Sequence, residues 1–294
     1  MKPAAFEYDR ADSVEHTLAL LAEHADDVKV LAGGQSLVPL LNFRLARPAR
    51  LIDINGLGEL ASVRRADGVL RIGALTRQAM LERSASVRTH WPLLHEALGF
   101  LAHPQIRNRG TVGGSVAHAD PAAELPVALT ALGATVTVRS IRGSRRIDAA
   151  DLFVTHLTTA LEPDELLTEI AVPAMPPRAG SAFTEYARRH GDFGLGGAAV
   201  ILNPGEGGVC DQASIVLLAA APTPLRAHEA ERSLASRAID DDAAAEAAAC
   251  AVREIAPTGD IHGDTRYRRR LIEGLVRRAV LAAAVRAGLR SDTQ

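Results

Sequence analysis

The chain has 294 residues, with 33 Lys and Arg against 35 Asp and Glu, for a formal net charge of −2 and a pI of about 6.6. That length exceeds one ordinary domain, and 47% hydrophobic residues suffice to bury a core without a disulfide or a structural metal. The near-neutral balance excludes the basic signature of a nucleic-acid binder or an anionic-membrane binder. Cys210 and Cys250 belong to no CxxC pair, so the chain offers no ligand set for an iron–sulfur cluster or zinc. The start, MKPAAFEYDRADSVEH, has no apolar signal core, and no apolar run approaches the ~20 residues of a membrane span. The expectation is a soluble, cytoplasmic protein.

In chain order, Val28–Ala32 reads as a short strand ending in Gly33 and Gly34, with a helix predicted over Ser36–Leu45. Strands follow at Leu51–Ile54 and Val69–Ala74. Thr76 is a plausible N-cap for a helix to about Arg83, and Pro92–Leu101 has helical periodicity with proline at its start. Thr135–Val138 and Leu166–Val172 read as strands before the cluster Pro173-Ala-Met-Pro176-Pro177, the clearest boundary in the chain. Beyond it, strands are expected at Ala182–Arg188, Gly197–Leu202 and Ala213–Ala219. Helices are expected over Arg226–Ser236, Ala243–Ile255 and Thr265–Leu289, the last with Leu271, Leu275, Val276, Val280 and Leu281 on one face. The reading is an α+β protein in two parts, about 1–175 and 178–290.

Two glycine motifs carry the chemistry. In Ala32-Gly33-Gly34-Gln35-Ser36-Leu37, adjacent glycines lack the Cβ atoms that block close approach and permit positive φ, so successive amides can face one anion. The helix that follows adds a partial positive charge. Arg107-Asn108-Arg109-Gly110-Thr111-Val112-Gly113-Gly114-Ser115 repeats the pattern, and Asp120-Pro121-Ala-Ala-Glu124 after it is dense in groups that bond a polyhydroxy chain. Either motif alone is equally a plain turn. The pair suits the two phosphates of a pyrophosphate. Neither is a P-loop, since no Gly-Lys-Ser/Thr follows. Gly194-Leu-Gly196-Gly-Ala-Ala199 matches a dinucleotide pattern as a string, but a strand follows it where that pattern needs a helix.

These motifs resemble the FAD-binding medium subunits of the xanthine dehydrogenase and carbon monoxide dehydrogenase family of molybdenum hydroxylases. AGGQSLVPLLNFRLARPARLIDIN is similar to the family's first flavin loop, and RNRGTVGGSVAHADPAAELP to its second. LEPDELLTEIAVP, ARRHGDFGLGGAAV, APTPLRAHEAE and DTRYRRRLIEGLVRRAV follow in family order, so the resemblance covers nearly the whole chain. It implies an N-terminal FAD-binding domain of two α/β subdomains, divided near 55–60, and a C-terminal α+β domain with a three-stranded antiparallel sheet and helices. It implies that Ala32, Gly33, Gly34, Gln35, Ser36 and Leu37, with Thr111, Val112, Gly113, Gly114 and Ser115, surround the FAD pyrophosphate and ribityl chain. Glu124 stands where relatives carry a carboxylate that bonds ribityl or ribose hydroxyls, with Asp120 the alternative, and Asp192 and Phe193 match a segment near the flavin. Two departures stand out: Gln35 occupies a position that is often His in carbon monoxide-oxidising relatives, and some relatives have Lys near Thr184 or Glu185.

The implied function is a subunit that holds FAD non-covalently and passes electrons from [2Fe-2S] clusters to an external acceptor, quinone, NAD or oxygen. Molybdopterin and the clusters belong to a large and a small partner subunit, in a dimer of heterotrimers. The chain itself shows no acid–base machinery: its ten histidines have no metal-ligand spacing, so no catalytic residue and no metal site are assigned. Two other readings stay open, a free-standing flavin oxidoreductase and a non-catalytic nucleotide-binding assembly module. The substrate is not encoded here, because its selector lies on another chain.

Overall fold

A computed structural model describes residues 2–25 and 27–291. The first sheet is parallel and three-stranded, with Arg50–Asp53 between Glu7–Arg10 and Val28–Leu31. Helix Val14–His24 connects the two outer strands. It starts where the Ser13 side chain accepts from His16 N, and it buries Val14, Thr17, Leu18 and Leu21 at helical spacing. That helix was not among the expected elements, since its polar residues dilute the apolar stripe. Val28, Ile52, Ile54 and Leu57 complete this small core.

The second sheet is antiparallel throughout, in the order Val63–Ala66, Val69–Gly73, Leu166–Pro173, Thr135–Ser140, Gly143–Asp148. Helices fill the long excursion between Gly73 and Thr135: Gln78–Glu82, Ala85–His90, Pro92–Phe100, Pro104–Arg109, Val112–His118 and Glu124–Ala131. Ala85–His90 and the last three were not expected, because short helices bury too few residues to show a period. Thr76 is not a cap. Its hydroxyl donates to Ser62 O at 3.0 Å, and Arg77 occupies the position before the helix. The first glycine motif leads into Leu37–Asn42, shorter than expected because Arg44 turns left-handed with φ 59°.

The third sheet contains the three expected strands, observed as Gly180–Tyr186, Gly196–Pro204 and Cys210–Leu218, and a fourth short strand, Leu225–Arg226. One face packs on helices His228–Leu234, Asp241–Arg253 and Thr265–Arg286, through Ala182, Ala198, Val200, Ile215 and Leu217. The other face contributes Phe183, Ala199, Ile201, Val216 and Leu218 to the core of the second sheet and its helices. Burial on both faces explains the unbroken apolar run Ala198–Leu202 where a half-exposed strand would alternate. At Gly180 the long C-terminal helix lies so close that a Cβ would sit 2.1 Å from Ala283 O. Both cysteines are free and buried. Among the described residues no helix is long and apolar enough to cross a membrane, and no cluster of three metal-ligating side chains occurs.

Trp91 is 0% exposed in the second core, and its indole N–H donates to Pro173 O at 2.8 Å, pinning the strand that ends at the proline cluster. Trp91→Ala is expected to cost about 3–5 kcal/mol, read as a lower urea midpoint, and Trp91→Phe distinctly less.

Candidate functional site

Strand Val28–Leu31 delivers the first glycine motif to one end of the parallel sheet. Gly34 sits at φ +70°, which a side chain rarely adopts. Across residues 33–36 no backbone N–H donates to any described group. Consecutive donors without acceptors form a concavity for an anion. The Gln35 side chain folds back on its own turn, donating to Gly33 O at 2.8 Å.

The second motif is built differently from the expected second cradle. Thr111 caps helix Val112–His118, its Oγ1 accepting from Gly114 N at 3.1 Å. Val112 N bonds Thr76 O, Gly113 N bonds Ala74 O and Ser115 N bonds Thr111 O, so these amides are satisfied within the protein. The glycines here serve approach. A Cβ on Gly113 would lie 2.6 Å from Ala74 Cβ, and one on Gly114 would lie 2.6 Å from Thr111 Oγ1, the cap of its own helix.

The two motifs meet at Gly33, where a Cβ would lie 2.4 Å from Arg109 O and 2.9 Å from Gly110 Cα. Side chains from the sheet edge hold this contact. The Arg77 guanidinium donates to Arg109 O and, at 2.8 Å, to Asn55 Oδ1. Asn55 Nδ2 donates to Ala32 O and to Asp53 Oδ1, each at 2.7 Å, and Tyr8 donates its hydroxyl to Asp53 Oδ2 at 2.5 Å. No local pattern marks Asn55 or Arg77, whose role depends on what the fold sets opposite them.

Ala119, left-handed at φ 53°, ends the glycine helix and turns the chain to Asp120. Asp120 Oδ1 accepts from Ala122 N at 2.8 Å. The turn is fastened on both sides, Ala119 O accepting from Leu157 N at 3.1 Å and Pro121 O from Ala219 N at 3.0 Å. Glu124 then opens helix Glu124–Ala131 at 7% exposure, with no described side-chain partner. Burial pushes its carboxyl up to about 7, and the Asp120 charge adds to this; its own amide and Arg107 oppose it. Arg107 is otherwise committed, bonding Glu82 at 2.8 Å and the carbonyls of Leu101 and Ala102.

A half-buried carboxyl, Glu185, lies across the boundary between the two halves. Strand alternation sets Glu185 on the face of Phe183, away from Thr184, whose hydroxyl bonds Leu275 O on the C-terminal helix. Glu185 Oε2 is buried without a hydrogen-bond partner. Burial first, and then the charge of Glu124, push this carboxyl up to about 8. The available signal was a glutamate on the inward register of an apolar strand.

Asp192 and Phe193 lie in the loop between Gly180–Tyr186 and Gly196–Pro204, with Asp192 N bonded to Arg189 O at 3.1 Å and Phe193 72% exposed. Gly191, at φ +88°, packs on the His103 ring. No described hydrogen bond links this loop to the glycine motifs.

Two carboxyls raised above their unfolded value of 4.5 make a signed prediction. Their burial is fully tolerated below about pH 4.5, where both states are protonated, and stability is lost as pH rises through about 7 and 8. Urea unfolding of the chain is expected to weaken by a few kcal/mol between pH 5 and pH 9. Glu185→Gln is expected to flatten that slope, and a slope unchanged in this variant refutes the assignment.

Comparison with known proteins agrees along the whole chain. Residues 4–175 match the family model described as the FAD binding domain in molybdopterin dehydrogenase, and residues 181–283 match the CO dehydrogenase flavoprotein C-terminal domain. The 6-hydroxypseudooxynicotine dehydrogenase complex subunit alpha of Paenarthrobacter nicotinovorans is 48% identical over 98% of this chain and 97% of its own length. The carbon monoxide dehydrogenase medium chain of Afipia carboxidovorans is 38% identical over 98% of this chain and 99% of its own. Among solved structures, carbon monoxide dehydrogenase from Hydrogenophaga pseudoflava superposes with a TM-score of 0.94 at 38% identity, covering 97% of this chain and 99% of that one. Quinoline 2-oxidoreductase from Pseudomonas putida 86 gives 0.93 at 38% identity, covering 98% and 99%. The chain belongs to the FAD-binding medium-subunit family of the molybdenum hydroxylases.

Proposed function

We propose that this chain is the electron-relay subunit of a molybdenum hydroxylase and that it holds FAD, non-covalently, where its two glycine motifs meet. The observation that carries this reading is the run of unbonded amides at residues 33–36, pressed by Gly33 onto Gly110. Those amides, within Ala32–Leu37, face the pyrophosphate. Thr111, Val112, Gly113, Gly114 and Ser115 form the opposite wall, where Gly113 without a Cβ lies directly on Ala74. Glu124, buried and with no described side-chain partner, accepts from ribityl or ribose hydroxyls, with Asp120 the alternative acceptor. Asp192 and the exposed Phe193, which match a family segment near the flavin, would lie by the ring. When bound, the flavin supplies two-electron acceptance and one-electron release, and the protein supplies orientation and electrostatics.

Relatives in the range of 35–48% identity carry names that refer to substrates as different as caffeine, nicotine, carbon monoxide and glyceraldehyde. A chain this similar across such chemistry serves the step they have in common. We therefore assign substrate activation to a large molybdopterin subunit and the entry of electrons to a small [2Fe-2S] subunit, in a cytoplasmic dimer of heterotrimers. We also divide the chain at the proline cluster, into 1–175 and 178–290. The five-stranded sheet ends at Pro173 and the next begins at Gly180, which supports that division. A further division near 55–60 separates the parallel sheet from the antiparallel one.

The purified chain is expected to be yellow and to release FAD on denaturation. Gly33→Ala, which sets a Cβ 2.4 Å from Arg109 O, is expected to weaken FAD binding at least tenfold, about 1.4 kcal/mol. Normal flavin content in this variant defeats the proposed cradle. A tagged chain from its native host is expected to bring down an iron–sulfur subunit and a molybdenum subunit through interfaces of over ~2,000 Å². Full substrate turnover by the chain without molybdenum or iron promotes the free-standing oxidoreductase instead.

A further inference from the structure

A cleft lies beside the junction of the glycine motifs, against helices Gln78–Glu82 and Pro104–Arg109. Its volume is about 410 Å³, and it is lined by Arg77, Ala79, Met80, Arg83, Ser84 and Asn108. That volume falls within the roughly 300–1,000 Å³ typical of small-ligand sites. Arg77 and Arg83 flank the short helix at its two ends, so two cations share one cleft, and no Asp or Glu lines it. The adjacent acid, Glu82, is held by Arg107 through both carboxylate oxygens, at 2.8 and 3.0 Å. Asp53, the acid of the junction, is taken by the Tyr8 hydroxyl and the Asn55 side chain. Among the described residues Arg77 donates only to Arg109 O and Asn55 Oδ1, and Arg83 only to Asn108 Oδ1 at a long 3.4 Å. Both guanidinium groups therefore keep N–H donors without an acceptor. Ser84 Oγ accepts from Val87 N at 3.3 Å, which leaves its own hydrogen free to donate. The rest of the lining, buried Ala79 and exposed Met80, is apolar.

We propose that this cleft binds a small phosphate ester, a ligand other than the flavin, with its phosphate on Arg77 and Arg83 and its apolar body on Ala79 and Met80. Two cations with no acid between them favour a dianion over a single carboxylate, and a phosphate monoester carries about −1.5 to −2 charge at pH 7. The planar fork of each guanidinium matches phosphate oxygens two at a time. Ser84 and the Asn108 amide supply neutral donors beside the charged ones. Met80, unbranched and polarisable, adapts to the shape of the body. The open amides of the flavin cradle belong to residues 33–36, and none of these lines the cleft, so the two sites are separate. The cleft stands whether or not the chain holds FAD.

The experiment is isothermal titration of the purified chain with inorganic phosphate and with phenyl phosphate, at fixed ionic strength, with and without saturating FAD. Both probes are expected to bind in either condition, phenyl phosphate about threefold or more the tighter because its ring buries apolar surface. Arg83→Gln alters an exposed side chain outside the glycine motifs and is expected to weaken both probes about tenfold, with FAD content unchanged. Met80→Gln is expected to remove the advantage of phenyl phosphate and to leave inorganic phosphate unaffected. Equal phosphate binding in wild type and Arg83→Gln overturns the assignment and leaves an adventitious ion only. Displacement of phosphate by FAD puts the anion in the flavin cradle and overturns it as well. Absence of phosphate binding, with Arg83→Glu losing a partner subunit, gives the cleft to an acidic side chain of that partner and overturns the ester.

Discussion

The contact of Gly33 with the backbone at Arg109 and Gly110 is the constraint on which the rest of the site depends. A single methyl group there would lie 2.4 Å from a carbonyl oxygen, so only glycine lets the two motifs touch. That contact joins the end of a parallel sheet to the start of a helix packed on a separate antiparallel sheet. The hydrogen-bonded chain Tyr8, Asp53, Asn55, Arg77 then holds the junction from the sheet edge. Each bond is modest, on the order of 1 kcal/mol net, but together they fix where the unbonded amides of residues 33–36 point. A binding site preorganised in this way does not spend ligand affinity on ordering its own loop.

Similar glycine strings do different physical work on the two sides of that contact. At residues 33–36 the missing side chains leave backbone donors open. At residues 112–115 the donors are already satisfied by Thr111, Thr76 and Ala74, and the missing side chains allow the helix to lie on the strand end at Ala74. The second motif is thus a packing element that places one wall of the site, and the first is the part with free hydrogen-bonding capacity.

The acidic side of the site belongs to neither half alone. Glu124 opens a helix over the second sheet, and Glu185 lies in the first strand of the third. The third sheet, buried on both faces, presents Phe183 and Leu218 to the same core that surrounds Glu124. Apolar packing supplies the desolvation that raises both carboxyls. Burial of a carboxyl without a counterion is a cost to folding.

The sequence by itself determined the apolar strands, because short β-branched and aliphatic runs bounded by glycine and proline admit little else, but not the polar edge strands Glu7–Arg10, Val63–Ala66 and Gly143–Asp148; it determined the long C-terminal helix through its apolar spacing. It also determined the two glycine motifs and the resemblance they carry, since chemistry that needs missing side chains leaves its mark in composition. Helices Val14–His24 and Ala85–His90 and the short helices between Pro104 and Ala131 escaped notice, because caps, tertiary packing and a few buried positions decide them more than any period does. Only the tertiary structure decided that the second motif is internally bonded, that Asn55 and Arg77 hold the junction, and that Glu185 Oε2 is left without a partner. These depend on pairs of residues far apart in the chain, and a local pattern carries no information about what the fold will set opposite it.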